Sequence, residues 1–151
     1  MNSRRKGRES ALQILYQMEI TAPLPSVSRA NGSEAIEKFF EHFETPNEVL
    51  DHTTALVHGV LLNHTRIDEL IAKNSEKWRI ERMAIVDRNV LRVACYEFLF
   101  SPDLTPAIII DEAVEIAKRF GSDKSAAFVN GILDSIAAET RKTTKGSSKK
   151  R

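Results

Sequence analysis

The sequence predicts an all-α protein of about seven helices joined by short connections, and three observations lead to this fold class. Apolar residues recur at intervals of three and four positions through most of the chain, as on the buried face of a helix. Prolines and short polar stretches interrupt this pattern at the spacing expected of helix ends. The one β-like run, Ile108–Ile110, is too short and too isolated to build a sheet.

Three helices are predicted in the first half of the chain, over residues 8–20, 34–44 and 47–63. The first must end before Pro23 and Pro25, which cannot continue a helix. Ser33 is the predicted N-cap of the second helix, after a loop with the sequence VSRANGS. Gly59 lies inside the third helix, where glycine costs stability, so it predicts the close approach of another helix.

Four more helices are predicted over residues 65–74, over 81–100, through the sequence IIIDEAVEIAKRF and over 123–139. The helix over 81–100 is apolar on several sides, which is typical of the central helix of a bundle. The next helix begins either at Thr105–Pro106 or at Asp111, and Gly121 ends it. Ser122 or Asp123 then caps the last helix.

Length and composition predict one domain over residues 1–140, followed by a basic, disordered tail over 141–151. Cys95 is the only cysteine, so the chain forms no internal disulfide, and its apolar surroundings predict a buried, unreactive thiol. No apolar run approaches the roughly 18 residues that a membrane-spanning helix needs. These features predict a cytoplasmic protein without a membrane segment.

Basic residues are concentrated at the two ends of the chain. The first eight residues carry four basic groups, the last eleven carry six, and neither segment contains an acid. Since the chain has 22 basic and 21 acidic residues, the part between them has 12 basic groups against 21 acids, a net charge of −9. Segregated basic termini indicate binding to nucleic acid or to an acidic surface, and solvated tails are the alternative.

The sequence shows no arrangement typical of an enzyme, a metal site or a cofactor site. The four histidines lack the spacing of metal ligands, and the glycines are too scattered for a phosphate-binding loop. Asp111, Glu112 and Glu115 could form a catalytic carboxylate cluster. However, pairing of Glu115 with Lys118 or Arg119 on the helix surface is the simpler interpretation. We therefore expect no catalytic activity.

Two aromatic residues lie beside cations at positions that suit single-stranded nucleic acid. On a helical wheel, Tyr16 points away from the apolar stripe of the first helix, in the direction of Arg5. Phe128 likewise lies off the stripe of the last helix, one turn after Lys124. Cations neutralise phosphates and aromatic rings stack on bases. Packing against a neighbouring helix is the alternative for both rings.

Three blocks of the sequence resemble the NusB family of bacterial transcription antitermination factors. IDEAVEIAKRFGSDKSAAFVNGILDSIA is similar to the family's C-terminal signature, RRKGRESALQILYQ to its N-terminal arm and first helix, and DRNVLRVACYEF to its central helix. The resemblance covers the chain except for the variable residues 21–47. It implies two packed helical subdomains.

The resemblance also implies a function and a set of site residues. The implied role is binding to the boxA element of ribosomal RNA leader transcripts together with NusE, a small-subunit ribosomal protein, within an RNA polymerase antitermination complex. The RNA-binding residues would be Arg4, Arg5, Lys6, Arg8, Tyr16, Asp87, Lys124 and Phe128. The chain departs from the family at Asn74, near which the family often has an aromatic, and at Lys124, where many members have an acid.

Two other functions are compatible with the sequence. A protein-interaction module would dock a basic partner on the acidic residues between positions 34 and 51. A relative of the NusB-like domain fused to ribosomal RNA cytosine methyltransferases would need a C-terminal catalytic domain, with a cofactor-binding glycine motif and catalytic cysteines that the sequence lacks. Both a monomer and a homodimer fit the sequence.

Overall fold

The computed structural model describes residues 3–21 and 29–141, and every regular element in these two segments is helical. The helices are α1 (Ser3–Thr21), α2 (Arg29–Phe40), α3 (Asn47–Leu62), α4 (His64–Lys73), α5 (Ile85–Phe100), α6 (Pro106–Phe120) and α7 (Ser125–Thr140). A short 3₁₀ turn, Ile80–Arg82, precedes α5. The predicted fold class is confirmed for these segments. The predicted break at Pro23 and Pro25 and the tail beyond residue 141 lie outside the described residues.

The helices pack in two groups around α5. The first group is α1, α2 and α3, and the second is α4, α6 and α7 with α5 itself. Helix α5 also packs against α1 and α3, so it belongs to the shared core, as its apolar sequence predicts. Cys95 of α5 is fully buried, which confirms the prediction of a buried thiol, and burial raises the pKa of that thiol. No helix in the described segments has both the length and the apolar content to cross a bilayer.

Both predicted ends of the second helix are wrong, and the first helix begins at Ser3 rather than at residue 8. Helix α2 spans Arg29–Phe40, whereas the sequence predicts residues 34–44, and Ser33 lies inside this helix rather than capping it. Gly32, which suggested a loop, is buried against the side chain of Leu61 on α3. A residue with no side chain is therefore used at this point for close helix packing, which local propensity does not reveal.

Helix α5 begins four residues later than the sequence predicts, at Ile85 rather than at residue 81. Residues Met83 and Ala84 have extended backbone angles, so they separate the 3₁₀ turn from the helix. The guanidinium of Arg88 donates hydrogen bonds to the carbonyl oxygens of Met83 at 2.8 Å and Ile80 at 3.3 Å. A side chain thus satisfies carbonyl groups that a continuous helix would have paired internally.

The starts of α6 and α7 settle the alternatives that the sequence left open. Thr105 is the N-cap of α6, where its hydroxyl accepts a hydrogen bond from the backbone of Ile108, and Pro106 is the first helical residue. The alternative start at Asp111 is therefore wrong. Helix α7 has Lys124 at its N-cap position, rather than Ser122 or Asp123.

Gly59 allows α3 and α5 to approach closely. A Cβ atom at this position would overlap the ring of Tyr96 on α5. The prediction that another helix passes close to Gly59 is confirmed, and the neighbour is an aromatic side chain rather than backbone.

Candidate nucleic-acid interface

The basic arm is the first part of α1. Because this helix begins at Ser3, the cations at positions 4, 5, 6 and 8 occupy its first two turns. Arg4 and Lys6 are exposed, and Arg5 is partly exposed. The predicted continuity of the arm with the first helix is confirmed, so Arg4, Arg5 and Lys6 have fixed positions on the surface.

Arg8 lies beneath the arm rather than on the surface. Its side chain is buried and donates hydrogen bonds from Nε and Nη2 to the carboxylate of Glu97 on α5, both at 2.9 Å. Glu97 is also buried, with 2% of its surface exposed. The expectation that Arg8 presents its charge to RNA is corrected, because this buried pair instead holds the arm against the core.

Arg5 takes part in the same arrangement at its outer edge. Its Nε and Nη2 donate to the two carboxylate oxygens of Glu112 on α6, each at 2.8 Å. Glu112 also accepts from Arg8 at 3.4 Å. The hydrogen bond from Arg5 holds the pKa of Glu112 below its usual value, with burial acting in the opposite direction. Glu112 is therefore an anchoring carboxylate.

The carboxylate cluster considered as a catalytic site does not form a pair of facing acids. Asp111 is exposed, and Glu115 pairs with Lys118 at 3.3 Å, as the surface interpretation predicts. The described residues contain no group of three or more histidine, cysteine or acidic side chains placed to hold a metal ion.

His52 on α3 packs under the arm and gives the arm a measurable pH signature. Its ring lies against Gly7 of α1, and its Nε2 is buried without a hydrogen-bond partner among the described residues. Burial, together with the charges of Arg8 and Arg4, lowers the pKa of His52 from 6.5 to about 4. The folded state therefore holds this imidazole neutral, while the unfolded chain protonates it near pH 6.5.

We expect the free energy of unfolding to fall by about 1–2 kcal/mol between pH 6.5 and pH 4 because of His52, after allowing for partial solvent screening of a half-buried ring. The stability is fully present above the unfolded pKa and is lost as the pH falls, because only the unfolded chain then gains a proton. Denaturant titrations of the wild type and His52→Gln over this range measure it. Parallel pH profiles for the two proteins would contradict the expectation.

Tyr16 lines a groove between four helices. The groove has a volume of ≈ 380 Å³ and includes Gln13 and Gln17 of α1, Phe39 of α2, Val86 of α5 and Phe120 of α6. Tyr16 itself is half-buried, so its ring is held by the groove while part of it meets solvent. This placement fits both packing and ligand contact.

Asp87 lies in the first turn of α5, next to the groove residue Val86. It is 8% exposed, and its Oδ1 has no hydrogen-bond partner among the described residues. A buried carboxylate oxygen without a donor is uncommon, and a ligand reaches this one only if the side chain of Asp87 turns towards the surface.

Lys124 and Phe128 lie one turn apart at the start of α7. Lys124 is exposed, and Phe128 is half-buried against the core. The ring of Phe128 also contacts the ring of Trp78 edge to face, with 5.8 Å between the centroids and an interplanar angle of 89°. Phe128 therefore packs and is partly accessible, so the two alternatives weighed from its wheel position both describe it in part.

The loop that contains Trp78 is the feature that the sequence reasoning overlooked. Trp78 is 54% exposed and lies between Lys77 and Arg79, in the sequence EKWRIER. An aromatic residue flanked by cations outside any predicted apolar stripe was the available signal. Because Trp78 lies in a loop, no helical periodicity identifies it.

Asn74, where the family often has an aromatic, serves a structural purpose in this chain. Its side chain accepts a hydrogen bond from Ser135 of α7 at 2.6 Å and donates to Glu139 at 3.1 Å. Lys73 also pairs with Glu139, at 3.0 Å. Asn74 thus ties the end of α4 to α7.

Comparisons with known proteins give one family. Residues 5–138 match the model of the NusB family. The transcription antitermination protein NusB of Desulfatibacillum aliphaticivorans is 41% identical over 150 residues, which cover 99% of this chain and 100% of that protein. The structure of T. maritima NusB matches with a TM-score of 0.76 and 37% identity, over 90% of this chain and 91% of that one. A crystal structure of antitermination factors NusB and NusE in complex with dsRNA has the same fold, with a TM-score of 0.77, 24% identity and coverage of 92% and 98%.

Proposed function

The chain belongs to the NusB family, and from this premise we propose that it is a non-enzymatic transcription antitermination factor that binds single-stranded RNA of the boxA type together with NusE. The proposed location is the cytoplasm, where bacterial transcripts are made, and the proposed assembly is an RNA polymerase antitermination complex.

The observation that carries the proposal is the arm of α1. A loose cationic tail would lose conformational entropy when it binds RNA, whereas this arm is already ordered by the buried Arg8–Glu97 pair. Arg4 and Lys6 remain exposed on it. Phosphate contacts from fixed cations supply the sequence-independent part of RNA affinity.

Two further features supply contacts to bases. The groove at Tyr16 offers an aromatic ring, and single-stranded RNA is recognised by splayed bases that stack on such rings. Asp87, next to this groove, can accept from the exocyclic amino group of a base when its buried carboxylate turns outward, and a carboxylate usually pairs with cytosine in this way.

The proposed protein partner fits the acidic segment that runs from α2 to the start of α3. The six carboxylates between positions 34 and 51 are all exposed: Glu34, Glu37, Glu41, Glu44, Glu48 and Asp51. A solved NusB structure of the same fold is bound to NusE, and a ribosomal protein such as NusE is basic. An acidic surface attracts a basic protein and repels RNA, so RNA should bind at the cationic arm instead.

The proposal is tested by titrating labelled boxA-type RNA with the full chain, with and without NusE, over a range of salt concentrations. Arg4→Gln combined with Lys6→Gln should reduce the slope of log K against log salt by about 1.4, since each single-strand phosphate contact contributes about 0.7. Lys38→Gln, an exposed lysine on α2, serves as the control and should leave the slope unchanged.

The outcomes separate the candidate functions. Binding that is stronger with NusE, and weakened by the arm substitutions, supports the proposal. If NusE binds the chain but RNA affinity never exceeds that of NusE alone, the chain is a protein-interaction module, which the exposed carboxylates would also suit.

Lys124 provides a test at the other end of the interface. Lys124→Asp should raise the free energy of unfolding by about 0.3 kcal/mol, because an acid at a helix N-terminus is favoured by the helix dipole. The same change should weaken RNA binding by about 1–2 kcal/mol at low salt and by less at high salt, because it places a negative charge beside the phosphates. Unchanged affinity at low salt would remove the start of α7 from the RNA path.

A further inference from the structure

We propose that Trp78 is an RNA-binding residue of this protein and that it forms, with Phe128, an aromatic platform on which unpaired bases stack. The inference rests on the proposed function and extends it to the loop before α5. The two rings come from different elements, and their centroids lie 5.8 Å apart. This contact between the rings is the main observation behind the inference.

Trp78 is held in place by the turn that precedes it. Its backbone N–H donates to the carbonyl of Ser75 at 2.9 Å. Ser75 is buried, and its hydroxyl lies 2.7 Å from the carbonyl oxygen of Ile71 and 3.2 Å from that of Trp78. These hydrogen bonds fix the backbone of Trp78, and the contact with Phe128 positions its ring. The residue is nevertheless 54% exposed.

The position of Trp78 relative to Phe128 is also fixed. The hydrogen bonds of Asn74 to Ser135 and Glu139 fasten the end of α4 to α7, directly before the Trp78 loop. An edge-to-face pair keeps one ring face free of its partner, so a base can stack there without separating the two rings. A preordered platform loses little entropy on binding.

Cations are next to both rings in the sequence. Lys77 and Arg79 flank Trp78, Lys124 lies one turn before Phe128, and the loop also carries the exposed acids Glu76 and Glu81. Arg79 pairs with Glu81, but both side chains are largely exposed, so this pair is weak and a phosphate can replace the carboxylate. Aromatic rings interleaved with cations are the arrangement that binds single strands without strong sequence preference.

RNA is the occupant that this chemistry favours. The acidic surface suited to a basic protein lies between positions 34 and 51, whereas the two residues adjacent to Trp78 in the sequence, Lys77 and Arg79, are exposed cations. Since Lys124 and Phe128 are already part of the proposed RNA interface, the platform continues that interface onto the loop between α4 and α5.

Trp78 is the only tryptophan in the chain, so its fluorescence reports on this residue alone. Adding boxA-type single-stranded RNA to the full chain, in the presence of NusE, should quench the emission, with a midpoint that matches the Kd from labelled RNA. Trp78→Phe provides the blank for any tryptophan in the partner. The same RNA annealed into a blunt duplex should quench much less.

Affinity measurements complete the test. Trp78→Ala should raise the Kd for RNA about 5- to 100-fold, since stacking on an aromatic side chain contributes that much per base. Trp78→Phe should stay within about threefold, because it keeps a ring. Phe43→Ala, at another exposed aromatic, is the matched control. Because Phe43 lies between Glu41 and Glu44 of the acidic surface proposed to bind NusE, this comparison is made without NusE, where the variant should bind RNA as the wild type does. Melting curves establish that each variant is folded.

Wild-type RNA binding with no quenching, and Trp78→Ala equal to Phe43→Ala, would overturn the inference and leave the proposed function intact. Loss of NusE binding by Trp78→Ala in the absence of RNA would also overturn it, because Trp78 would then be a protein contact. Absence of RNA binding by the wild type would instead reject the proposed function itself.

Discussion

Arg8→Ala is expected to lower the free energy of unfolding by about 3–5 kcal/mol, the largest effect of any single change considered for this protein. Arg8 and Glu97 are both almost fully buried, so removing the cation leaves a carboxylate in the core without a partner. Chemical denaturation with an unchanged m-value measures the loss. The arm should also detach, so the salt dependence of RNA binding should weaken in any fraction that remains folded.

Arg5→Ala is the matched control for Arg8→Ala. Arg5 is more exposed, and Glu112 keeps its contact with Arg8, so the expected loss is about 1 kcal/mol or less. Replacing both buried partners, Arg8→Met with Glu97→Leu, should recover most of the stability, because no unpaired charge remains. A small effect of Arg8→Ala, equal to that of Arg5→Ala, would show that the pair does not anchor the arm.

Arg92→Ala is expected to lower the free energy of unfolding by about 3 kcal/mol. The side chain of Arg92 is 3% exposed and bonds Asp68 of α4 and Glu19 of α1, so it joins three helices. The loss should be smaller than for Arg8→Ala, because Glu19 keeps hydrogen bonds from Arg88 and Asn89.

This change should also reduce the sensitivity of the protein to acid. Although burial raises the pKa of Glu19, the hydrogen bonds from Arg88 and Asn89 and the charge of Arg92 outweigh it, so the net pKa lies below the ordinary value of 4.5. Glu19 thus adds stability above pH 4.5 that is lost as the pH falls through its folded pKa. Without Arg92 the shift is smaller, so the profiles of wild type and variant should converge in acid.

Arg92→Lys distinguishes charge from geometry. Lysine keeps the positive charge but cannot bond both carboxylates through a planar fork, so it should recover only part of the loss. Full recovery by lysine would show that charge alone matters at this position. The free energy of unfolding of Arg92→Lys should then depend on pH as that of the wild type does.

The helices were predictable because each has a continuous apolar stripe, whereas the resemblance to the NusB family rests on the residues of three sequence blocks and not on periodicity. The starts of α2 and α5 could not be predicted from the sequence, since tertiary contacts determine them. Gly32 packs on Leu61, and Arg88 satisfies the carbonyl groups before α5. Local sequence contains neither partner.

The sequence indicates which residues could belong to the candidate site, but not how deeply each of them is buried. A helical wheel gives the direction of Arg8 from its own helix, yet its burial depends on Glu97, 89 positions away. Trp78 shows the opposite case, because an exposed ring in a loop has no periodicity to identify it, and only its contact with Phe128 relates it to the site.

The long separation between the arm and its partners has a consequence during synthesis. Glu97 follows Arg8 by 89 positions, and Glu112 follows Arg5 by 107. At about 5–20 residues per second, a ribosome needs about 5–20 s to make the first of these partners after the arm has formed. Helix α3 can pack on the arm first, through His52 and Thr53, but the ion pairs with Glu97 and Glu112 form only when α5 and α6 have been translated. The order of chain growth thus makes the ion pairs under the proposed RNA-binding arm late to form.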